Sequence, residues 1–221
     1  MPRFLTFIFI SFTLVASSQR IFTANGVLLS FLDWESNYQI SKTTSYRGAL
    51  VQPSVSLGFE TKIWKRFSLT VSAANFRSGG KNPYNPYYSN GNGRITFNNT
   101  SAGVVANYYA VNKNTQFYIG LGPRIDYVKP GSELSSAPNM YQKKDFNQVK
   151  VGLTGNIGTN YQFNDFYFGI RLNYYYRFGY LFRSQTTNGD QFWGNTLSIR
   201  DNLFDLQLVF GYQFGKKKKA E

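Results

Sequence analysis

Between residues 166 and 182 the chain reads FYFGIRLNYYYRFGYLF, with a large apolar or aromatic side chain at every second position. Phe166, Phe168, Ile170, Leu172, Tyr174, Tyr176, Phe178, Tyr180 and Phe182 share one parity, and Arg171, Asn173, Arg177 and Gly179 stand between them. Successive side chains of a strand point to opposite faces. A period of two therefore predicts a β-strand with one apolar face and one polar, glycine-dotted face. The design recurs along the chain. In 204–214, Phe204, Leu206, Leu208, Phe210, Tyr212 and Phe214 alternate with Asp205, Gln207, Val209, Gly211 and Gln213. Segments 116–128 and 149–163 repeat it, and 51–63 and 67–73 carry weaker versions. Segments 26–35 and 101–111 also read as strands, although their facing is ambiguous, which brings the expected number of strands to eight.

The links between these segments come in two sizes. WKR at 64–66, NKNT at 112–115 and ND at 164–165 are hairpin turns. The other links, roughly 36–48, 78–100, 129–148 and 184–202, are rich in Asn, Gly, Ser, Tyr and Pro and exceed ordinary hairpin loops. Short and long links alternate. An even-stranded antiparallel barrel with tight turns at one rim and long loops at the other is the layout of an outer-membrane barrel. The expected fold is thus all-β: an eight-stranded antiparallel up-and-down transmembrane β-barrel with short periplasmic turns and long extracellular loops. A secreted, lipocalin-like barrel binding an apolar ligand is the alternative, but its outer face would carry many charges. Here the face alternating with the apolar one is Gly, Ser, Asn and Thr with scattered Arg, a poor solvent surface. Pro123 falls inside a predicted central strand, where its missing N–H suggests a local bulge.

The first residues, MPRFLTFIFISFTLVASSQ, place Arg3 ahead of an apolar run and small residues after it, the three parts of a secretory signal peptide. Ala16 and Ser18 put cleavage before Gln19. The organisation read from the chain is a signal peptide at 1–18, a barrel at 19–214 and a basic tail at 215–221. Composition agrees with export. Aromatic residues make up 19% of the 221 residues, spaced by small polar ones instead of long aliphatic runs. Cysteine and histidine are absent, which excludes disulfides, thiol chemistry and Cys or His metal sites. The net charge of +13 is scattered except for the KKKK run at 216–219, so nucleic acid is not an expected partner.

The segments FYIGLGPRIDYV (117–128) and LVFGYQF (208–214), with Gln19 following small residues, resemble the small outer-membrane β-barrel proteins of Bacteroidota, the group that includes PorT-like proteins. The resemblance implies an outer-membrane location, outer-membrane lipid around the barrel and passage through the barrel-assembly machinery. The GKKKKAE tail after Phe214 departs from the family, whose barrels end at or near the terminal aromatic.

No catalytic constellation emerges. Histidine is missing as a base, no carboxylate pair stands out, and GLGP at 120–123 and GNG at 91–93 lack the helix N-terminus that a phosphate loop needs. No enzyme activity, cofactor or metal is expected. On the polar faces, Glu60, Lys62, Arg124, Asp126, Lys150, Arg171, Arg177 and Asp205 are candidates for an ionic plug, because the lumen of eight strands is only wide enough for side chains to fill. Tyr84, Tyr87 and Tyr88, set among Asn and Gly, are candidate loop contacts for a surface protein or glycan. The expected role is structural or surface interaction, with a narrow porin-like channel as the alternative.

Overall fold

The computed structural model describes residues 19–38, 41–46, 48–82, 93–112, 114–131, 148–185 and 196–214. Residues 1–18, read as a signal peptide, lie outside the described residues, as do Tyr84, Tyr87, Tyr88 and the basic tail. Ten strand segments follow in order: β1 (Gln19–Tyr38), β2 (Ser41–Tyr46), β3 (Gly48–Trp64), β4 (Phe67–Asn82), β5 (Gly93–Asn112), β6 (Thr115–Pro130), β7 (Val149–Phe163), β8 (Phe166–Arg177), β9 (Phe182–Gln185) and β10 (Thr196–Phe214). All pairings are antiparallel: β3 to β8 pair in sequence, β1 pairs with β2 and β3, β10 pairs with β8 and β9, and β1 closes the sheet on β10 from Gln19↔Phe214 to Asn37↔Thr196. The segments make eight staves. β2 continues β3 along the outer half of β1, and β9 continues β8 along β10. The result is the expected closed barrel, and closure leaves no free edge along its body.

Three links are short: 65–66 and 164–165 are tight turns, and β5 ends at Asn112 where β6 starts at Thr115. Asn164 has a φ of 55°, the left-handed conformation that a two-residue hairpin favours and that asparagine tolerates. The opposite rim differs from expectation. β4 and β5 stay paired out to Asn82↔Gly93, β10 begins at Thr196, and β1 with β2 covers much of 36–48, so the links read as loops are partly strand. The physical reason lies on the outward face: beyond the apolar band its residues turn polar, as at Arg77 and Asn98, so pairing continues where apolar alternation fades. A 20-residue strand such as β1, tilted by about 40°, rises roughly 50 Å, about twice the height of a bilayer's apolar band.

The bulge expected at Pro123 is also corrected. Pairing from β6 to β5 lapses opposite Val104 and Val105 without any change of register, while the β6–β7 ladder runs straight through Pro123↔Leu153. One intact ladder holds the register. A proline inside a register shift is found instead in β3, where Pro53 lies between Ala49 and Ser54.

The two faces separate cleanly. Ile21, Val27, Val55, Leu57, Val71, Ile119, Leu121, Ile157, Ile170, Leu172, Leu206 and Leu208 point outward and are exposed, Leu208 at 67%. Rings border this aliphatic zone on both sides. Toward the turns, Trp64 stacks on Phe67, Phe67 meets Tyr108, Tyr161 meets Phe168, and Phe166 contacts both Phe210 and Tyr212. Toward the loops, Phe31 and Tyr174 both contact Phe204, and Tyr176 meets Phe178. Inward residues include apolar ones that alternation alone does not assign: Phe22, Ala24, Leu28, Leu32, Phe76, Phe97, Tyr167, Tyr175, Ile199 and Leu203.

Candidate functional site

The lumen gathers the chain's buried charge. Strand parity sends Asp126 and Arg124 inward from β6, Arg171 and Arg177 from β8, and Asp201 and Asp205 from β10. Asp126 is fully buried between two guanidiniums: Arg124 Nε donates to its Oδ1 at 2.9 Å and Arg177 Nε to its Oδ2 at 2.6 Å. Arg177 also pairs with Asp201 and donates from Nη2 to Asn99 Oδ1 at 2.7 Å. The Asn99 amide in turn donates to Ser78 Oγ at 3.0 Å. Every arm of Arg177 is thereby engaged, which is what a buried cation requires.

The network continues inward by stacking. The Arg124 guanidinium carbon lies 3.8 Å from the centroid of the Tyr175 ring, and the Tyr175 hydroxyl donates to Asp205 Oδ2 at 3.0 Å. Asp205 accepts from Ser54 Oγ at 2.6 Å and from Gln207 Nε2 at 2.7 Å. Gln207 Oε1 accepts from Arg171, whose guanidinium carbon lies 4.9 Å from the Phe22 ring centroid. Among the described residues, Arg171 has an amide and a ring as partners where Arg177 has two carboxylates.

A second group closes the end nearer the turns. Arg20 Nη1 lies 3.7 Å from Glu60 Oε2, Arg20 Nε donates to Gln213 Oε1 at 3.2 Å, and its guanidinium carbon is 5.0 Å from the Tyr167 centroid. Glu60 accepts from the Tyr109 and Ser68 hydroxyls. Gln162 Nε2 donates to Gln213 Oε1 at 2.7 Å and joins β7 to the group.

Of the eight candidates, Arg124, Asp126, Arg171, Arg177 and Asp205 meet in the first network and Glu60 anchors the second. Lys150 is buried, but its Nζ donates to the Tyr180 carbonyl across the gap between β8 and β9 and not to a carboxylate. Lys62 is half-buried and interacts electrostatically with Glu60 and Arg20 of the second network. Arg20 and Asp201 were missed by sequence reasoning: the first precedes the strand predicted from 26, and the second falls in a stretch read as loop. Parity with Asp205 was the signal that could have found Asp201. The uncharged members Asn99, Gln207, Tyr109 and Tyr175 carry no sequence signal apart from parity.

Between the networks is a polar cavity of about 30 Å³ lined by Ser56, Thr70, Ser101, Asn156, Arg124 and Arg171, among others. That volume holds a water or two. Ser56 Oγ and Asn156 Oδ1 are buried on its wall without a protein partner. Among the described residues, no group of three or more His, Cys, Asp or Glu is placed to hold a metal. The chemistry available in the lumen is hydrogen bonding and ion pairing.

No family model and no curated protein matches the chain. Solved structures do. The outer membrane protein OprG from Pseudomonas aeruginosa superposes with a TM-score of 0.58 at 15% identity, over 88% of this chain and 95% of that one. Neisserial surface protein A gives 0.47 at 13% identity, over 86% and 99%. The outer membrane protein AlkL gives 0.48 at 11%, over 91% and 93%. The likeness to OprG is one of fold, and by that fold the chain is a closed eight-stranded antiparallel barrel of the kind that outer-membrane proteins build.

Proposed function

We propose that the chain is an integral outer-membrane barrel without enzymatic activity, closed by its lumen networks and serving a structural or surface-interaction role. The observation that carries this reading is the outer wall, an exposed aliphatic zone bordered by a ring of aromatics on each side. In water such a wall would be a contiguous apolar patch many times larger than a monomer tolerates, whereas in lipid it is the required surface. Residues 1–18 direct export and the long loops face outward. The quoted segments at 117–128 and 208–214 favour the Bacteroidota small-barrel family as its lineage. Tyr84, Tyr87 and Tyr88 are the proposed contacts for a surface protein or glycan.

Facing is testable because the chain has no cysteine. Single cysteines at 170, 172 and 174, where Ile170, Leu172 and Tyr174 point outward, react with a bilayer-soluble maleimide in vesicles, and cysteines at 171 and 173 do not. Equal labelling of both sets, or purification of the mature chain as a soluble monomer without detergent, overturns the membrane reading.

A second reading, a narrow channel, is favoured by the small polar cavity. Any continuous path through it must part the Arg177–Asp126–Asp201 cluster at one end and the Arg20–Glu60 group at the other.

A further inference from the structure

On the outer wall of β4, β5 and β6, just above the aliphatic zone, the ladder lines up two rows of polar residues. Arg77 is opposite Asn98, and Asn98 is opposite Lys129. One step toward the turns, Asn75 is opposite Thr100, and Thr100 is opposite Tyr127. All six are exposed and share the outward parity of Val71 and Ile125 below them. The row beneath, Ala73–Ala102–Ile125, is apolar. The change from apolar to polar therefore occurs within one step of the pleat, at the level of the exposed ring of Tyr127.

We propose that this patch binds the phosphate of a lipid headgroup in the leaflet on the loop side, an inference that rests on the membrane reading above. Two cations flank an amide on adjacent strands, about 5 Å apart per strand, so long side chains can converge on one phosphate from either side. Arg77 Nε donates to Asn98 Oδ1 at 3.1 Å, and the Lys129 ammonium lies 5.3 Å from the Tyr127 ring centroid. Asn75 Nδ2 donates to Thr100 Oγ1 at 3.3 Å and completes a hydrogen-bonding floor.

Charge complementarity selects the occupant. Among the described residues, no carboxylate faces outward from β4, β5 or β6, so the cationic pair is uncompensated by protein. The opposite wall shows the contrast. There the outward cation Arg200 has Asp33 directly across the ladder and lies over the Tyr180 ring, 4.3 Å from its centroid. A cation at the bilayer boundary attracts an anionic headgroup, and a lipid is held there already by the wall below. The site is thus built for a phosphate presented by a lipid, not for free phosphate, which has no apolar part to bury.

The test uses the full mature chain in nanodiscs of phosphatidylcholine containing a bis-phosphorylated lipid A, with the same lipid A enzymatically dephosphorylated as the comparison, and native mass spectrometry as readout. Wild type retains the phosphorylated lipid preferentially. R77Q/K129Q loses roughly thirty-fold in retention, the effect of removing two interfacial cations, and R200Q keeps the wild-type preference. Inorganic phosphate at millimolar concentration leaves the retained lipid in place. Equal retention of the two lipids, or an unchanged preference in R77Q/K129Q that still shows the folded mobility on an unheated gel, overturns the proposal. Displacement by inorganic phosphate overturns the choice of a lipid-borne ligand. Failure of the chain to insert into the bilayer fails the cysteine-labelling test too, and so marks the membrane reading as the error.

Discussion

At the residue scale the decisive position is Asp126, which two arginines share in a fully buried setting. Ion pairs of this kind contribute little net stability over a well-packed apolar replacement, but breaking one strands the remaining charge. Asp126→Leu leaves Arg124 and Arg177 facing each other without their common carboxylate. The expected loss is roughly 3–5 kcal/mol of unfolding free energy, measured by urea unfolding in lipid vesicles. Adding Arg124→Leu, whose described ion pair is with Asp126, removes a stranded cation without breaking the Arg177–Asp201 pair and recovers part of it. A loss below about 1 kcal/mol for Asp126→Leu alone, the range of a surface pair, contradicts the network described for the lumen.

At the element scale the inward glycines set the strand spacing of the interior by leaving room for rings on neighbouring strands. Phe22 of β1 is paired with Gly58 of β3, and a Cβ on Gly58 would sit 2.2 Å from the ring's Cζ. Tyr167 is likewise paired with Gly211, and Tyr118 with Gly158. Gly155 is different: it lies on the outward parity of β7, with open space where its Cβ would be. Gly58→Val therefore destabilises by about 1–3 kcal/mol through overpacking against Phe22. Gly155→Val is neutral or stabilising, because a β-branched residue suits a strand and Gly155 has open space for it. Thermal unfolding on unheated gels compares the two, and the reverse order contradicts the assigned facing. The same packing explains the ambiguity of β1. Its inward set, Phe22, Ala24, Leu28 and Leu32, is as apolar as its outward set, Ile21, Thr23, Asn25 and Val27.

At the scale of the whole molecule, two ion-paired groups and the apolar side chains around them fill the lumen, and a cavity of about 30 Å³ lies between them. Eight strands enclose too little space for a wide pore once side chains point inward. Planar-bilayer recording of the purified chain is expected to show no steady unitary conductance. Steady steps that disappear in Arg171→Ala or Arg177→Ala would place those residues in a conducting path and replace the plug with the channel. The strands also run past the outward aliphatic zone, β4 and β5 pairing out to Asn82↔Gly93.

Alternation along 166–178 and 204–214 determined, without any structure, that the chain forms strands with one apolar face, because facing on a strand depends on parity alone. The alternation of short and long links determined the up-and-down order, since antiparallel neighbours need only a hairpin between them. Parity also assigns charges such as Asp126 and Arg177 to the face opposite the apolar one, and both are buried there. Tertiary structure alone decided which of those charges meet. Asp126 and Arg177 are 51 positions apart, and Arg20 and Gln213 are brought together only when β1 closes on β10. Register, a relation between strands, sets those meetings, and no single strand's pattern contains it. The extension of β4 and β5 to Asn82 and Gly93 was hidden for a related reason. There the outward face turns polar, as at Arg77 and Asn98, so backbone pairing continues without the hydrophobic pattern that announces a strand.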